Sequence, residues 1–345
     1  MASQTIRLGV IGTRNIGKSH IRCAADIDGA EILAIAEPDD ELRTATAEEF
    51  DVPHAHASAD ELLDQDDVDG VILAVPNHLH EPMTAAAMQA GKHVLVEKPI
   101  SRTADEARRM IALRDRHEKV LMVGMNQRFL PTHQAIRRAI DAGALGPLQT
   151  ARTWWLTRRP HPGLWGRGDW FLSADNAGGG PMLDLGVHRL DLALWLLGFP
   201  DVASVTGTAS YGIGRHEANR RGKTYEIEDA AAGLVRFREG GSLYVEASYF
   251  QNTPSEGQDT ILCGTHGSVQ TKAEPPVLAH GPEDTRPVDL PDVSGASRSC
   301  VEHFVRVLRG DELLSPTAEQ ARTSMQIIEA IYHSAHTGET VTFPA

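Results

Sequence analysis

Ile6-Arg7-Leu8-Gly9-Val10-Ile11-Gly12-Thr13-Arg14-Asn15-Ile16-Gly17 is the stretch on which the fold class turns. Its first half is an aliphatic run interrupted only by Arg7, as in a strand buried on both faces of a parallel sheet. Its second half is a glycine-bounded turn that leads into a helical pattern. A dinucleotide-binding turn uses glycine at three places: for the tight turn, for close approach to a pyrophosphate and for helix–strand packing. Gly12 and Gly17 hold the first and third places, and Arg14 holds the second.

Further apolar runs at 31–36, 70–75, 93–96 and 120–124 alternate with helical patterns. Ser58-Ala59-Asp60-Glu61 and Thr103-Ala104-Asp105-Glu106 fit the capping box, and Gly91 sits where a helix should end. Repeated βα units imply a doubly wound parallel sheet, so residues 1–125 are expected to form a Rossmann domain. Glu37 lies at the end of the second strand, where a carboxylate accepts hydrogen bonds from an adenosine ribose and repels a 2′-phosphate. The turn residues Gly12, Thr13, Arg14, Asn15 and Ile16, with Glu37, are therefore candidate cofactor contacts, and Glu37 favours NAD over NADP. A plain strand-to-helix turn with a solvated acid is the alternative.

Beyond Asn126 the pattern changes. Helices are expected at 132–142 and 182–197, with a Trp- and Arg-rich stretch at 154–170 between them. Strands follow at 202–208, 230–237, 242–250, 260–263 and 268–271, with Gly240-Gly241 as a hairpin turn. Residues 274–291, rich in proline, read as a surface excursion. A last helix should start at Ser315-Pro316 and stop at Gly338. Residues 126–345 are thus expected to form an α+β domain with an open, mostly antiparallel sheet, and the whole chain is of the α/β class.

The 345 residues carry a formal net charge of -14, which repels phosphate backbones and argues against a nucleic-acid partner. Cys23, Cys263 and Cys300 are too far apart for a disulfide framework or a CxxC pair. There is neither a signal-peptide pattern nor an apolar run near the ~18 residues of a membrane span. A cytoplasmic protein without a membrane partner is expected.

Two segments carry the chemistry. Glu97-Lys98-Pro99 ends a parallel strand, the edge at which such sheets bind ligands. A surface ion pair is the plainer reading. In Gly178-Gly179-Gly180-Pro181-Met182-Leu183-Asp184-Leu185-Gly186-Val187-His188-Arg189-Leu190-Asp191, helical spacing puts Asp184, His188 and Asp191 on one polar stripe of an apolar helix. A carboxylate beside a histidine suits a general base near neutral pH, while an ordinary helix-surface salt bridge is the alternative. His54/His56 and His78/His80 form HxH pairs, but no ligand set is complete and no metal is expected. Trp154, Trp155, Trp165 and Trp170, with Arg152 and Arg167, suit a carbohydrate ring or, equally, a buried aromatic core.

Together with Ala74-Val75-Pro76-Asn77-His78-Leu79-His80, Ala90-Gly91-Lys92-His93-Val94 and Arg128-Phe129-Leu130-Pro131, these motifs resemble the Gfo/Idh/MocA family over essentially the whole chain. The resemblance implies an NAD-dependent oxidoreductase moving hydride to or from a secondary hydroxyl of a sugar, polyol or inositol. It implies His188 as base, Asp184 and Lys98 as its catalytic companions and substrate contacts, and Trp165 at the substrate. Pro76, Asn77, His80, Glu97 and Lys98 would line the cofactor cleft, with Arg128 near the nicotinamide. A homodimer or homotetramer paired through the second domain's sheet is implied as well.

Arg14 and Phe171, which follows Trp170, depart from the family pattern at a glycine and an arginine position. Two other readings use the same residues. One is a glycosidase or lyase with transient oxidation; the other is a non-catalytic dinucleotide- or sugar-binding regulator.

Overall fold

Strands β1 (Ile6–Ile11), β2 (Ala30–Ala36), β3 (His54–His56), β4 (Gly70–Leu73), β5 (His93–Val96) and β6 (Leu121–Val123) form one parallel sheet. Their order is β3-β2-β1-β4-β5-β6, with the direction of winding reversed between β1 and β4. The computed structural model describes residues 5–158, 164, 168–272, 277–279, 285–287 and 291–344. All four residues of β4 are buried, and so are the last four of β1 and of β2, because helices cover both faces of the sheet. The predicted caps form: Ser58 accepts from the Glu61 N–H and Thr103 from the Glu106 N–H. The Glu106 carboxylate reaches back one residue beyond the cap, to the Arg102 N–H at 2.9 Å.

The chain divides into two compact units, Met1–Met125 with Ser297–Arg322, and Asn126–Ala296 with Thr323–Ala345. The C-terminal segment was expected in the second domain, whereas Ser297–Arg322 belongs to the first unit. Helix Cys300–Arg309 is the cause. It buries Cys300, Val301, Phe304 and Val305 against helix Asn15–Ala25 and β1, and that apolar face has no other outlet in water.

In the second unit, nine strands form a mixed sheet in the order β14-β13-β12-β11-β7-β10-β9-β8-β15. They are β7 (Leu148–Leu156), β8 (Val202–Ser210), β9 (Ala230–Phe237), β10 (Ser242–Ser248), β11 (Gly257–Gly264), β12 (Ser268–Gln270), β13 (Val277–Ala279), β14 (Thr285–Pro287) and β15 (Val341–Thr342). Among the described residues only β7 and β10 pair in parallel; the other pairs are antiparallel.

Two expectations need correction. The Trp- and Arg-rich stretch starts inside β7, where Trp154 and Trp155 lie near the end of a central strand and Thr153 faces inward. That threonine is fully buried and shares its hydroxyl with Thr260 at 2.7 Å. The excursion expected at 274–291 contains β13 and β14, which extend the sheet edge beyond β12. Helix Val187–Leu197 lies against β7, β10 and β11, and the last helix runs Ala318–Thr337.

Candidate functional site

In the first unit the candidate residues gather at one sheet edge. Gly12 and Thr13 follow β1, Glu37 follows β2, Pro76 and Asn77 follow β4, and Glu97 and Lys98 follow β5. These four strands are neighbours and β1/β4 is the switch point, so their carboxyl ends form the crevice in which doubly wound sheets bind ligands. Gly12 has φ +87°, and a Cβ on it would lie 2.4 Å from the Ala74 carbonyl oxygen. A Cβ on Gly17 would lie 2.0 Å from the Gly12 carbonyl oxygen. Both positions exclude a side chain, which lets helix Asn15–Ala25 start against the turn with its free N–H groups toward the crevice.

The residue that breaks the glycine pattern does not close this turn. Arg14 adopts φ -69° and ψ -173°, open to any residue, and its side chain is 71% exposed and directed to Asp39 at 3.4 Å. Glu37 is more tightly held than the sequence suggested. One of its oxygens accepts the Thr13 N–H at 3.0 Å and hydroxyl at 3.3 Å, and the other accepts the Asp39 N–H at 3.3 Å. A carboxylate has about four lone-pair positions, so one acceptor direction remains for a ribose hydroxyl. The residues present therefore fit a dinucleotide.

Lys98 is half-buried, and its N–H donates to its neighbour's carboxylate, Glu97 Oε2, at 3.1 Å. Behind Glu97 stands His20, whose Nε2 lies 2.7 Å from Glu97 Oε1. Burial, the largest cause, lowers the His20 pKa, but hydrogen bonds to Cys300 and Glu97 outweigh it and raise it to about 10. Sequence reading passed over His20. Its signal is the buried helix face Gly17, His20, Ile21, Ala24, on which it is the one polar member. His80 is fully buried, with Nδ1 2.8 Å from the Pro99 carbonyl and Nε2 3.0 Å from the Val75 carbonyl. It ties the loops after β4 and β5 together from within, rather than presenting a ring at the crevice.

In the second unit, Pro181 opens a helix whose first turn, Met182–Gly186, is π-helical before the α-helix Val187–Leu197 begins. The wider turn breaks α-periodicity just where the polar stripe was expected, a frequent feature of functional sites. Asp184, His188 and Asp191 consequently meet different neighbours. Asp184 accepts a hydrogen bond from the Tyr249 hydroxyl at 2.5 Å. The His188 ring is 8% exposed and lies 5.8 Å from the Trp155 ring. Asp191 forms a bidentate pair with Arg128 at 2.8 and 2.5 Å, both side chains buried. Arg128 also stands over the rings of Phe199 at 5.2 Å and Trp195 at 6.0 Å. Its guanidinium is thus directed into this interior.

Glu228, which the sequence did not flag, fastens the start of the helix. Its carboxylate accepts the N–H groups of Gly180 at 2.8 Å and Met182 at 3.1 Å and the Tyr332 hydroxyl at 2.8 Å. Burial pushes its pKa up. Trp165 and Arg167 lie outside the described residues. Among the described residues, no cluster of three or more His, Cys, Asp or Glu is arranged to hold a metal ion. None of their helices is long and apolar enough to cross a membrane.

Residues 6–125 match an oxidoreductase family with an NAD-binding Rossmann fold, and residues 133–270 match the GFO/IDH/MocA C-terminal domain. The chain is 28% identical over 350 residues to a D-glucoside 3-dehydrogenase of Escherichia coli, covering 99% of this chain and 98% of the relative. It is 29% identical over 348 residues to inositol 2-dehydrogenase 2 of Saccharopolyspora erythraea, covering 97% and 95%. A solved levoglucosan dehydrogenase in complex with NADH shares the fold, with a TM-score of 0.85 at 23% identity over 99% of this chain and 100% of that one.

Proposed function

This chain belongs to the Gfo/Idh/MocA family of oxidoreductases and carries its NAD-binding Rossmann domain, and from that premise we propose that it interconverts a secondary hydroxyl and a ketone on a sugar or polyol. The names of the two relatives, a glucoside dehydrogenase and an inositol dehydrogenase, support that substrate class. The observation that carries the proposal is the placement of Asp184 and His188 on a buried helix. His188 and Asp184 are set into it, Asp184 is oriented by Tyr249, and neither residue caps the helix. Polar groups kept on a buried helix without a capping duty mark a site of chemistry.

His188 takes the hydroxyl proton in the oxidising direction and returns it in reduction. Asp184, with its carboxylate fixed by the Tyr249 hydroxyl, holds the substrate and assists His188. Lys98, in the first unit, supplies the positive charge that favours the developing alkoxide. A dinucleotide held by the turn after β1 and by Glu37 would supply the hydride-transfer chemistry at the carbinol carbon. His20 and Glu97 position Lys98, and His80 positions the loop that follows it. Trp165 keeps its sequence-based assignment as a substrate contact. Arg128 acts as the counter-ion of Asp191.

Leu234 and Tyr244 face each other across β9 and β10 and are 36% and 38% exposed. That outward face supports the homodimer or homotetramer implied by the family resemblance. A cytoplasmic location, which three free cysteines favour, belongs to the same proposal.

The test is a panel of sugars and polyols followed at the nicotinamide absorbance with wild-type protein and with His188→Ala. Turnover should fall by about 10²–10⁴-fold in the variant while NADH still binds. Equal turnover in the two proteins would remove His188 as the base. Cleavage of a glycoside without net NADH would favour the transient-oxidation chemistry instead.

A further inference from the structure

The end of β2 carries more charge than ribose recognition requires. Beside Glu37 stand two arginines and two aspartates, and the two arginines are held very differently. Arg43 is built into the turn: it donates to the Glu37 carbonyl at 2.9 Å and to Asp40 at 2.6 Å, with its side chain only 18% exposed. Arg14 is 71% exposed, and its one partner among the described residues is Asp39, at 3.4 Å. Asp39 in turn is fixed by the helix Asp40–Phe50, whose Leu42 N–H it caps at 3.1 Å through its other oxygen. The aspartate is therefore the anchored member of the pair and the arginine the movable one.

An arginine near the end of the second strand is the group that accommodates the 2′-phosphate of NADP in this fold class. The guanidinium fork matches a phosphate bidentately. Arg14 could serve in that way, since it lies in the turn that meets Glu37 through Thr13. We infer that the Arg14–Asp39 pair is a second lock against NADP, added to Glu37. Glu37 repels a 2′-phosphate directly; Asp39 neutralises Arg14, the exposed cation at that corner, and holds it away from such a phosphate. This inference rests on the NAD-binding reading of the first unit and extends it to cofactor choice. It gives Arg14, the residue that departs from the glycine pattern, a function.

An exposed ion pair at this separation is a weak contact, so removing the charge of Asp39 releases Arg14 at little cost to the fold. Asparagine caps a helix as well as aspartate does, which makes Asp39→Asn the appropriate change.

NADH and NADPH are titrated by nicotinamide fluorescence into the wild-type protein, Asp39→Asn and the double variant Arg14→Ala/Asp39→Asn. In Asp39→Asn the ratio of NADPH to NADH affinity should rise by about tenfold over wild type, the effect of one charge-assisted contact. In the double variant that gain should disappear. An unchanged ratio in Asp39→Asn would overturn the inference. So would a gain of equal size in the double variant, because the effect would then come from lost negative charge and not from Arg14. A wild-type protein that binds NADPH as tightly as NADH would overturn it also. Wild-type protein that binds neither nucleotide would reject the NAD reading itself, and the inference with it.

Discussion

The turn that follows β1 and the helix that follows Pro181 are built on opposite principles. The first is held by backbone: Gly12 and Gly17 admit no Cβ, and the Thr13 N–H reaches Glu37 only 24 residues away. The second is held by side chains brought from far along the chain. Arg128 meets Asp191 across 63 residues, Tyr249 meets Asp184 across 65, and Tyr332 meets Glu228 across 104. A site made from backbone is robust to the identity of its exposed residues, which is why Arg14 is tolerated in the turn. A site made from buried side-chain pairs depends on every partner, because a charge or dipole left alone in the interior has no water to replace what it lost.

The sharpest way to test that contrast is to break the buried pair. Arg128→Ala leaves the Asp191 carboxylate uncompensated and should lower stability by about 3–5 kcal/mol in denaturant titration. Replacing both partners by Met and Leu should recover most of that loss. A single variant as stable as wild type would show that the second region does not depend on its pairs.

Gly17→Ala probes the other region. Its Cβ would sit 2.0 Å from a carbonyl oxygen with nowhere to move. A stability loss of about 1–3 kcal/mol is expected from the forced backbone shift, together with weakened NADH binding in a fluorescence titration. Unaltered NADH affinity would mean that close backbone packing does not hold the turn.

The smallest effect separates the two regions by pH. His20 has a folded pKa raised to about 10 from an ordinary 6.5. Its contribution is complete below 6.5 and is lost as pH rises toward 10. His133 in the second unit has its ring turned to the Gln127 carbonyl at 2.7 Å. Burial, the largest cause, lowers its pKa to about 4 from 6.5. Its contribution is complete above 6.5 and is lost as pH falls toward 4. Each limb should slope by at most about 1.4 kcal/mol per pH unit. His20→Gln should flatten only the alkaline limb of a stability–pH curve, and His133→Gln only the acid limb. If each variant changed both limbs, the two histidines would not be independent.

The sequence alone determined the parallel sheet of the first unit, the helix boundaries near Pro131, Pro181 and Gly338, and the identity of the turn and of Lys98, Asp184 and His188 as candidates. Those features follow from local rules: period, caps and the steric demands of glycine operate over a few residues and are written in order along the chain. Only the tertiary structure decided that Thr153 makes β7 an inner strand, that the segment carrying Cys300 returns to the first unit, and that a π-turn redistributes the stripe from Asp184 to Asp191. It likewise decided that Arg128 faces Asp191, that His80 ties two loops together and that His20 stands behind Glu97. These are pairings between residues tens of positions apart, selected by which polar groups must satisfy one another once water is gone, and no local pattern encodes that choice.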